Sequence, residues 1–579
     1  MSAATLRITL GQASLAGGHP TNQDFHGACL PRGHQLASKG IVLALADGIS
    51  SSAVSQVASQ TAVRSFLEDY YATSEAWSVR RAAERVLSAT NAWLHAQTMG
   101  SDARFEKDRG HVCTFSALIL KGRDLHLLHV GDSRIYRLHA QALEQLTEDH
   151  RLRLSSTESC LNRALGTGPH VEIDYRSWEA EVGEIYLLAT DGACAGLGAQ
   201  DVHQALQAHP ADLDAAAHQL VSLAHRRGSA DDATLQLLRI EALPAADAPH
   251  PQLRREGLAL PPALAPRMAF EGFTLLRELQ VSARSHLHLA VDEASGQQVV
   301  LKTPSVDLAQ DPDYLDRFVL EEWVARRVDS PHVIKAWAGG RPRSHLFVAM
   351  EYIDGQTLAQ WRADHPQPAL DSVRSIVTQL AQGLQALHRR EMLHQDLRPE
   401  NVMIDRHGTV KLIDLAAAHV AGLAEHQPDA HTLAVPGSLQ YTAPEYLLGE
   451  GGSPRSELFA LAALTYELLS SQLPYGLDAA RVRSTADRRR LRYIPLRHHR
   501  PDLPAWVDAV LAKALHPDPA KRQEVISEFI HDLSAPGSEF RSARPTPLIE
   551  RNPVMFWQTT TALLGLSTAT LLALRVLGH

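Results

Sequence analysis

Cysteine is scarce in this chain, and its spacing excludes two kinds of scaffold. The 579 residues hold four, Cys29, Cys113, Cys160 and Cys194, and none forms a Cys-x-x-Cys pair. They build neither a zinc knuckle nor a disulfide framework, so reduced, mostly buried thiols are expected. A basic surplus is also missing. Lys and Arg number 56 against 65 Asp and Glu, for a formal net charge of -9. That balance argues against nucleic-acid binding and suits sites that collect divalent cations. The opening residues show no basic-then-apolar leader pattern, and no internal repeat is visible. What is present is an ordinary globular composition, 45% hydrophobic and 21% charged. The length allows two or three domains at about 100–200 residues each.

Strand-like apolar runs alternate with helix-like stretches from Ile8 to about Ile240. Pro244, Pro249, Pro251, Pro261, Pro262 and Pro266 then punctuate a segment that reads as a linker. A second αβ pattern runs from Phe270 to about Leu533, followed by a spacer containing Pro and Arg. The expected division is a domain over 1–240, a linker over 241–269, a domain over 270–535, a spacer over 536–553 and a terminal helix over 554–577. Val554 to Leu577 carries one charge, Arg575, and is long enough to cross about 30 Å of hydrocarbon. Arg541, Arg544 and Arg551 precede it, and Phe556 and Trp557 suit an interface. The positive-inside rule then predicts a single-pass anchor in the cytoplasmic membrane with both domains in the cytoplasm. The run Arg488-Arg489-Arg490-Leu491-Arg492 reads as a solvated face.

Three N-terminal runs share one design. Ile41 to Ala46 ends in Asp47-Gly48, Leu125 to Val130 in Gly131-Asp132, and Ile185 to Thr190 in Asp191-Gly192. Each run suits a buried strand and stops at a carboxylate beside glycine. Asp231-Asp232 precedes another strand, and Asn22-Gln23-Asp24 follows the Gly17-Gly18 turn. Any one Asp-Gly is also an ordinary turn signal. Converging, such carboxylates need positive charge between them, and hard oxygen ligands select Mg2+ or Mn2+.

These motifs, with Val130-Gly131-Asp132-Ser133-Arg134, Leu146-Thr147-x-Asp149-His150, Arg163-Ala164-Leu165-Gly166 and Asp231-Asp232-x-Thr234, closely resemble the metal-dependent protein phosphatases of type 2C, the PPM family. The resemblance spans roughly Ile8 to Ile240. It implies a four-layer αββα sandwich and a metal-bound water as nucleophile. Asp47 is expected to bridge two metals, the Gly48 carbonyl to bind one of them, Asp191 and Asp231 to bind on the other side, and Asp24 to act through water. Asp132 matches a residue that helps to hold a third metal. Three departures stand out: His19 replaces the phosphate-binding Arg, Gln23 the usual Glu, and Ile49-Ser50-Ser51-Ser52 a Gly-rich continuation.

In the second domain Val299-Val-Leu-Lys302 delivers a lysine, and Phe318-x-x-Glu321 supplies an acid to orient it. His394-Gln395-Asp396-Leu397-Arg398-Pro399-Glu400-Asn401, Leu412-Ile413-Asp414 and Ala443-Pro444-Glu445 follow in order. Phosphoryl transfer needs positioning and charge neutralisation, which such a kit provides. The set resembles the Hanks-type protein kinases over about Phe270 to Leu533 and implies a bilobal fold. By that resemblance Lys302 pairs with Glu321 and the phosphates of ATP. Asp396 is the catalytic base, Arg398 meets the γ-phosphate, Asn401 and Asp414 bind Mg2+, and Glu351 and Ile353 line the adenine hinge. Arg522 pairs with Glu445. The Gly-rich loop, however, reads Leu279-Gln280-Val281-Ser282-Ala283-Arg284-Ser285-His286, without the glycines that allow close backbone approach to phosphate. Asp-Phe-Gly reads Asp414-Leu415-Ala416, and Gln395 replaces the Arg of His-Arg-Asp.

The arrangement as a whole resembles the bacterial bifunctional Ser/Thr kinase/phosphatases: a multidomain α+β chain acting on protein substrates with Mn2+ or Mg2+ in one domain and ATP with Mg2+ in the other. Two further readings stay open, an active phosphatase governed by a nucleotide-binding pseudokinase and an adaptor with both sites dead. The linker's tethering also predicts that the phosphatase acts on phosphates the kinase places on its own chain, with Thr432, Ser438 and Thr442 as candidates.

Overall fold

The structure is a computed structural model that describes residues 6–106, 109–139, 142–153, 159–194, 196–245, 258–308, 310–339, 341–425, 439–536 and 553–577. The chain forms two compact units. The first comprises residues 1–355, 383–396 and 405–437; the second comprises 356–382, 397–404 and 438–579.

In the first unit, residues Arg7 to Ala242 build a sandwich. In chain order its strands are β1 (Arg7–Leu15), β2 (Asp24–Cys29), β3 (Ile41–Asp47), β4 (Phe115–Lys121), β5 (Asp124–Val130), β6 (Arg134–His139), β7 (Ala142–Gln145), β8 (Arg151–Arg153), β9 (Ser159–Leu161), β10 (Asp174–Glu179), β11 (Ile185–Ala189) and β12 (Ala233–Ala242). The helices are α1 (Gly33–Lys39), α2 (Ser55–Ala72), α3 (Val79–Met99), α4 (Asp191–Cys194), α5 (Ala199–Ala208) and α6 (Leu213–Arg226). One sheet runs β1-β12-β11-β6-β7, the other β10-β5-β4-β3-β2, and β8 pairs with β9.

Strand alternation explains the layering. Ile41, Leu43 and Leu45 of β3 join Leu118, Leu127, Tyr186, Leu188 and Leu238 in a core between the sheets. Val42, Ala44 and Ala46, on the other face, pack with Ala58, Phe66 and Leu87 of α2 and α3. Leu235 and Leu237 of β12 pack with Val202, Leu220 and Val221 of α5 and α6. Both faces of the central strands are thereby dry, so their apolar runs are nearly continuous. The result is the expected αββα sandwich.

The same unit holds a second antiparallel sheet, β13 (Ala269–Phe270), β14 (Phe273–Val281), β15 (Ser285–Asp292), β16 (Gln298–Pro304) and β17 (Val348–Glu351), paired in that order. Helix α7 (Pro312–Arg327) follows β16 and starts at an Asp311 side chain that accepts from the backbone N–H groups of Asp313 and Tyr314. The second unit is helical, with Pro454–Ser470, Ala505–Ala514 and Ile526–Ser534. There the buried Arg522 guanidinium bonds Glu445 at 2.6 and 2.8 Å, the pair expected from the sequence.

The tail corrects one expectation. It is helical over Pro553–Leu577, yet among the described residues no helix is long and apolar enough to cross a membrane. Gln558, Thr559, Thr560, Thr561, Ser567 and Thr568 dilute the apolar length, and each polar residue reduces the gain from transfer into hydrocarbon. The membrane-spanning helix, and the anchor built on it, is therefore not supported.

Candidate functional site

The sandwich gathers its carboxylates at one end. Asp24 begins β2 and Asp47 ends β3, and the two are directly opposed in the ladder. Asp191 opens α4 just beyond β11. Asp231 precedes β12, and Asp132 follows β5 through Gly131, whose φ of 118° suits glycine. Gly48 is required by close approach, since a Cβ there would lie 2.7 Å from the Ser55 Cβ. Burial, then the neighbouring charges of Asp24, Asp191, Asp132 and Asp231, hold the Asp47 carboxyl well above the usual carboxylate range. Burial pushes Asp24 up to about 7, against bonds from Thr234 and Thr190. The Thr190 hydroxyl donates to Asp24 Oδ2 at 2.8 Å, while Asp24 Oδ1 is buried without a hydrogen-bond partner. Burial and the charge of Asp191 raise Asp132 and Asp231 as well. All six residues predicted for this site thus meet.

Two basic groups at the site were not assigned these places from the sequence. Arg151, on β8, sets its Nε 2.7 Å from Asp132 Oδ2 and its Nη2 3.7 Å from Asp191 Oδ2. A guanidinium therefore already stands between the two carboxylates next to which a third ion was expected. His19, in the place of the family's arginine, lies beside two carboxylates: its Nδ1 is 3.6 Å from Asp231 and 3.5 Å from Asp232. Asp232 in turn accepts from the Gly17 and Gln23 backbone N–H groups, both at 2.7 Å.

In the second domain, Lys302 Nζ bonds Glu321 Oε2 at 2.6 Å and Asp414 Oδ1 at 3.1 Å. Burial opposes the lysine charge, but Glu321 and Asp414 outweigh it and hold the ammonium protonated beyond its usual range. Burial would raise Asp414, and Lys302 overrides it, holding the carboxyl below its usual range. Asp414 and Gln395 sit at φ 60° and 63°, the left-handed region that non-glycine residues rarely adopt; such strain concentrates at functional sites. The Asp396 backbone N–H donates to His394 Nδ1 at 3.3 Å. Glu351 accepts from Lys411 Nζ at 2.6 Å, and Ile353 is buried. Arg398 and Asn401 belong to the second unit, where the Asn401 N–H bonds the Arg398 carbonyl at 3.0 Å.

The segment in place of a Gly-rich loop is a tight turn between β14 and β15. The Ser282 N–H donates to the Ser285 carbonyl at 3.0 Å, and Ser282 Oγ accepts from the Ser285 N–H at 3.0 Å. The Arg284 carbonyl is held by the Ser305 N–H at 3.1 Å and by the Tyr314 hydroxyl of α7.

Within the first unit the sandwich also touches the segment after Asp414. Lys121 Nζ, at the end of β4, donates to the Gly422 carbonyl at 2.7 Å and to Glu425 Oε2 at 2.9 Å. Glu425 Oε1 accepts from the Val79 N–H, the first of α3, at 2.8 Å. The Gly422 N–H donates to the Ala76 carbonyl at 3.0 Å. Ser78 donates from its N–H and Oγ to Glu391 Oε2 at 2.8 and 2.9 Å.

Residues 11–228 match the family described as "Protein phosphatase 2C", and 282–532 match "Protein kinase domain". Serine/threonine-protein kinase PrkC of Bacillus subtilis (strain 168) is 26% identical over 265 residues, 45% of this chain and 40% of that protein. The chain thus spans less than half the length of this curated relative. The PknI kinase domain of Mycobacterium tuberculosis is 30% identical, over 47% of this chain and 98% of that one, with a TM-score of 0.37. The serine/threonine phosphatase PstP/Ppp of the same organism is 26% identical, over 41% of this chain and all of that one, with a TM-score of 0.35.

Proposed function

We propose that this chain, which joins a protein phosphatase 2C domain to a Hanks-type Ser/Thr protein kinase domain, exerts reversible control over protein phosphorylation. The first domain hydrolyses phospho-Ser and phospho-Thr with Mn2+ or Mg2+, and the second transfers phosphate from ATP to Ser or Thr. The observation that carries the reading is the convergence of four carboxylates on a buried fifth, Asp47. An oxygen-only set with a buried, unpartnered Asp24 Oδ1 fits hard divalent cations. Asp47, the Gly48 carbonyl, Asp191 and Asp231 would hold them, with Asp24 acting through water and Asp132 at the margin. When bound, the ions would polarise the phosphate ester and ease ionisation of a water. Thr190 fixes the Asp24 carboxylate, and the paired ladder of β2 and β3 fixes Asp24 against Asp47.

In the kinase domain Lys302, steadied by Glu321, meets the phosphates. Asp396 takes the proton of the attacking hydroxyl, and Arg398 neutralises the transferred group. Asn401 and Asp414 would hold Mg2+, and the backbone of Glu351 and Ile353 would receive the adenine. A second reading, a pseudokinase governing the phosphatase, is favoured by the glycine-free turn fastened at Arg284. Control of the chain's own phosphates belongs to the same proposal. Of the candidates, Thr442 is buried, while Thr432 and Ser438 lie outside the described residues.

The test is a paired assay on the purified chain. Mn2+-dependent phosphate release from a phosphothreonine peptide should vanish in Asp191→Asn. Label transfer from ATP to protein, measured in that background, should vanish on adding Asp396→Ala. Transfer that survives Asp396→Ala would overturn the kinase assignment, and nucleotide binding with no transfer at all would establish the pseudokinase. Arg151 adds a narrower expectation. Arg151→Ala should let the chain bind more Mn2+ at saturation in equilibrium dialysis, because it uncovers Asp132 and Asp191. An unchanged stoichiometry would show that the guanidinium excludes no ion.

A further inference from the structure

We propose that the hairpin of β14 and β15 carries a transition-metal site, best suited to Zn2+, built from Glu278, His286 and His288. The site is separate from both catalytic centres and depends on neither functional reading. One ligand atom from each of the three residues lies within 4.8 Å of the other two. The ladder makes this arrangement inevitable. His286 and His288 are two residues apart on β15 and so share a face, and Glu278 on β14 stands directly opposite His288. Leu287, between them, pairs with Lys302 and so belongs to the opposite face of the sheet.

The donor set has the right chemistry. Two imidazoles and a carboxylate are a borderline set that takes Zn2+ with one position left open. His288 is 4% exposed. Metal bonds of about 2.0–2.1 Å require the ligand atoms to draw together to about 3.4 Å, a movement open to exposed Glu278 and half-buried His286.

The site also has a consequence for the kinase domain. The three ligands bracket the turn at Ser282 to Ser285, the segment in place of a Gly-rich loop. An ion there is a cross-strand staple on a hairpin whose turn already lacks glycine's freedom, so Zn2+ should hold that turn still.

The experiment is Zn2+ titration of the full chain against a competing chromophoric chelator, with hydrogen exchange over residues 279–289. His286→Ala and His288→Gln should each weaken the tight Zn2+ site by more than the roughly 10–100-fold that loss of an outer partner costs a metal site. Asp191→Asn, which disables the other carboxylate centre, should leave it unchanged. Zn2+ should slow exchange across the hairpin in the parent and not in the His variants. His286→Ala keeps the buried residue, so a fold defect in His288→Gln would not blunt the test. Three results would each overturn the site: unchanged binding in His286→Ala, binding lost in Asp191→Asn, or no protection of the hairpin. The chain holds 31 histidines, so any weaker Zn2+ uptake that His286→Ala leaves untouched counts as adventitious binding only.

Discussion

Asp47→Asn is expected to abolish Mn2+-dependent phosphate release and, at the same time, to stabilise the metal-free protein. The first effect follows from removing the carboxylate on which the other four converge. Loss of several kcal/mol of electrophilic stabilisation corresponds to about a thousand-fold or more in rate, at 1.36 kcal/mol per decade. The second follows from the direction of the shifts. Asp47 and Asp24 both have folded-state pKa values above their ordinary 3.8, with Asp24 at about 7. A carboxyl raised on folding binds more protons in the native state, so it favours folding at low pH. That contribution is lost as pH rises from about 4 through the folded values. The metal-free midpoint should therefore fall between about pH 4 and pH 7, and Mn2+ should restore it by binding the native state alone. Asn removes the repelling charge without changing the shape. The metal-free midpoint at neutral pH should rise by about 2–4 °C per kcal/mol gained, and the rescue by Mn2+ should shrink. Differential scanning calorimetry with and without Mn2+ reads both. A variant that loses activity and also melts lower in the absence of metal would mean that Asp47 is a structural carboxylate instead of a ligand.

How much of this was legible in the sequence depends on whether a residue announces itself by its neighbours in the chain. Asp47, Asp132 and Asp191 each follow a dry apolar strand and adjoin a glycine, so strand ends and carboxylates are read together, and they do converge. Lys302, Glu321 and Asp414 were similarly readable, and the structure joins them within 3.1 Å. What stayed hidden is what depends on distant chain segments. Arg151 reads as one more polar residue after His150, yet the ribbon of β8 and β9 carries it to Asp132. Tyr314 belongs to a helix start, and only the fold shows that its hydroxyl holds the Arg284 carbonyl. His286-x-His288 needs the opposing strand before Glu278 completes the trio. The tail misled for a different reason. Its length and low charge suggested a span, whereas its hydroxyls and Gln558 leave too little apolar surface.

Lys121 was the least legible of all, because a lysine closing an apolar strand reads as a solvated charge, and it leads to the last large effect. Its side chain is 1% exposed, and that of its partner Glu425 is 16% exposed. Lys121→Met should therefore destabilise the chain by about 3–5 kcal/mol, the usual cost of removing one member of a buried pair and leaving the other uncompensated. A lysine in solvent would cost within about 0.5 kcal/mol. Glu425→Met should be costly too, since it also takes the acceptor from the Val79 N–H at the start of α3. The double replacement should recover much of the loss, because two apolar side chains of similar length refill the space without stranding a charge. Denaturant unfolding of the four proteins closes the cycle, and coupling within about 0.5 kcal/mol of zero would mean that the two residues act independently. Gly422 supplies a check that involves no charge. A Cβ there would lie 2.6 Å from the Glu75 carbonyl oxygen and 2.7 Å from that of Trp77, so Gly422→Ala should also weaken the chain. Both contacts fall between Asp414 and Ala443-Pro444-Glu445. The segment that a kinase must arrange in order to admit its substrate thus begins against the N-terminus of a phosphatase helix, and variants that release it should change label transfer before they change the carboxylate centre.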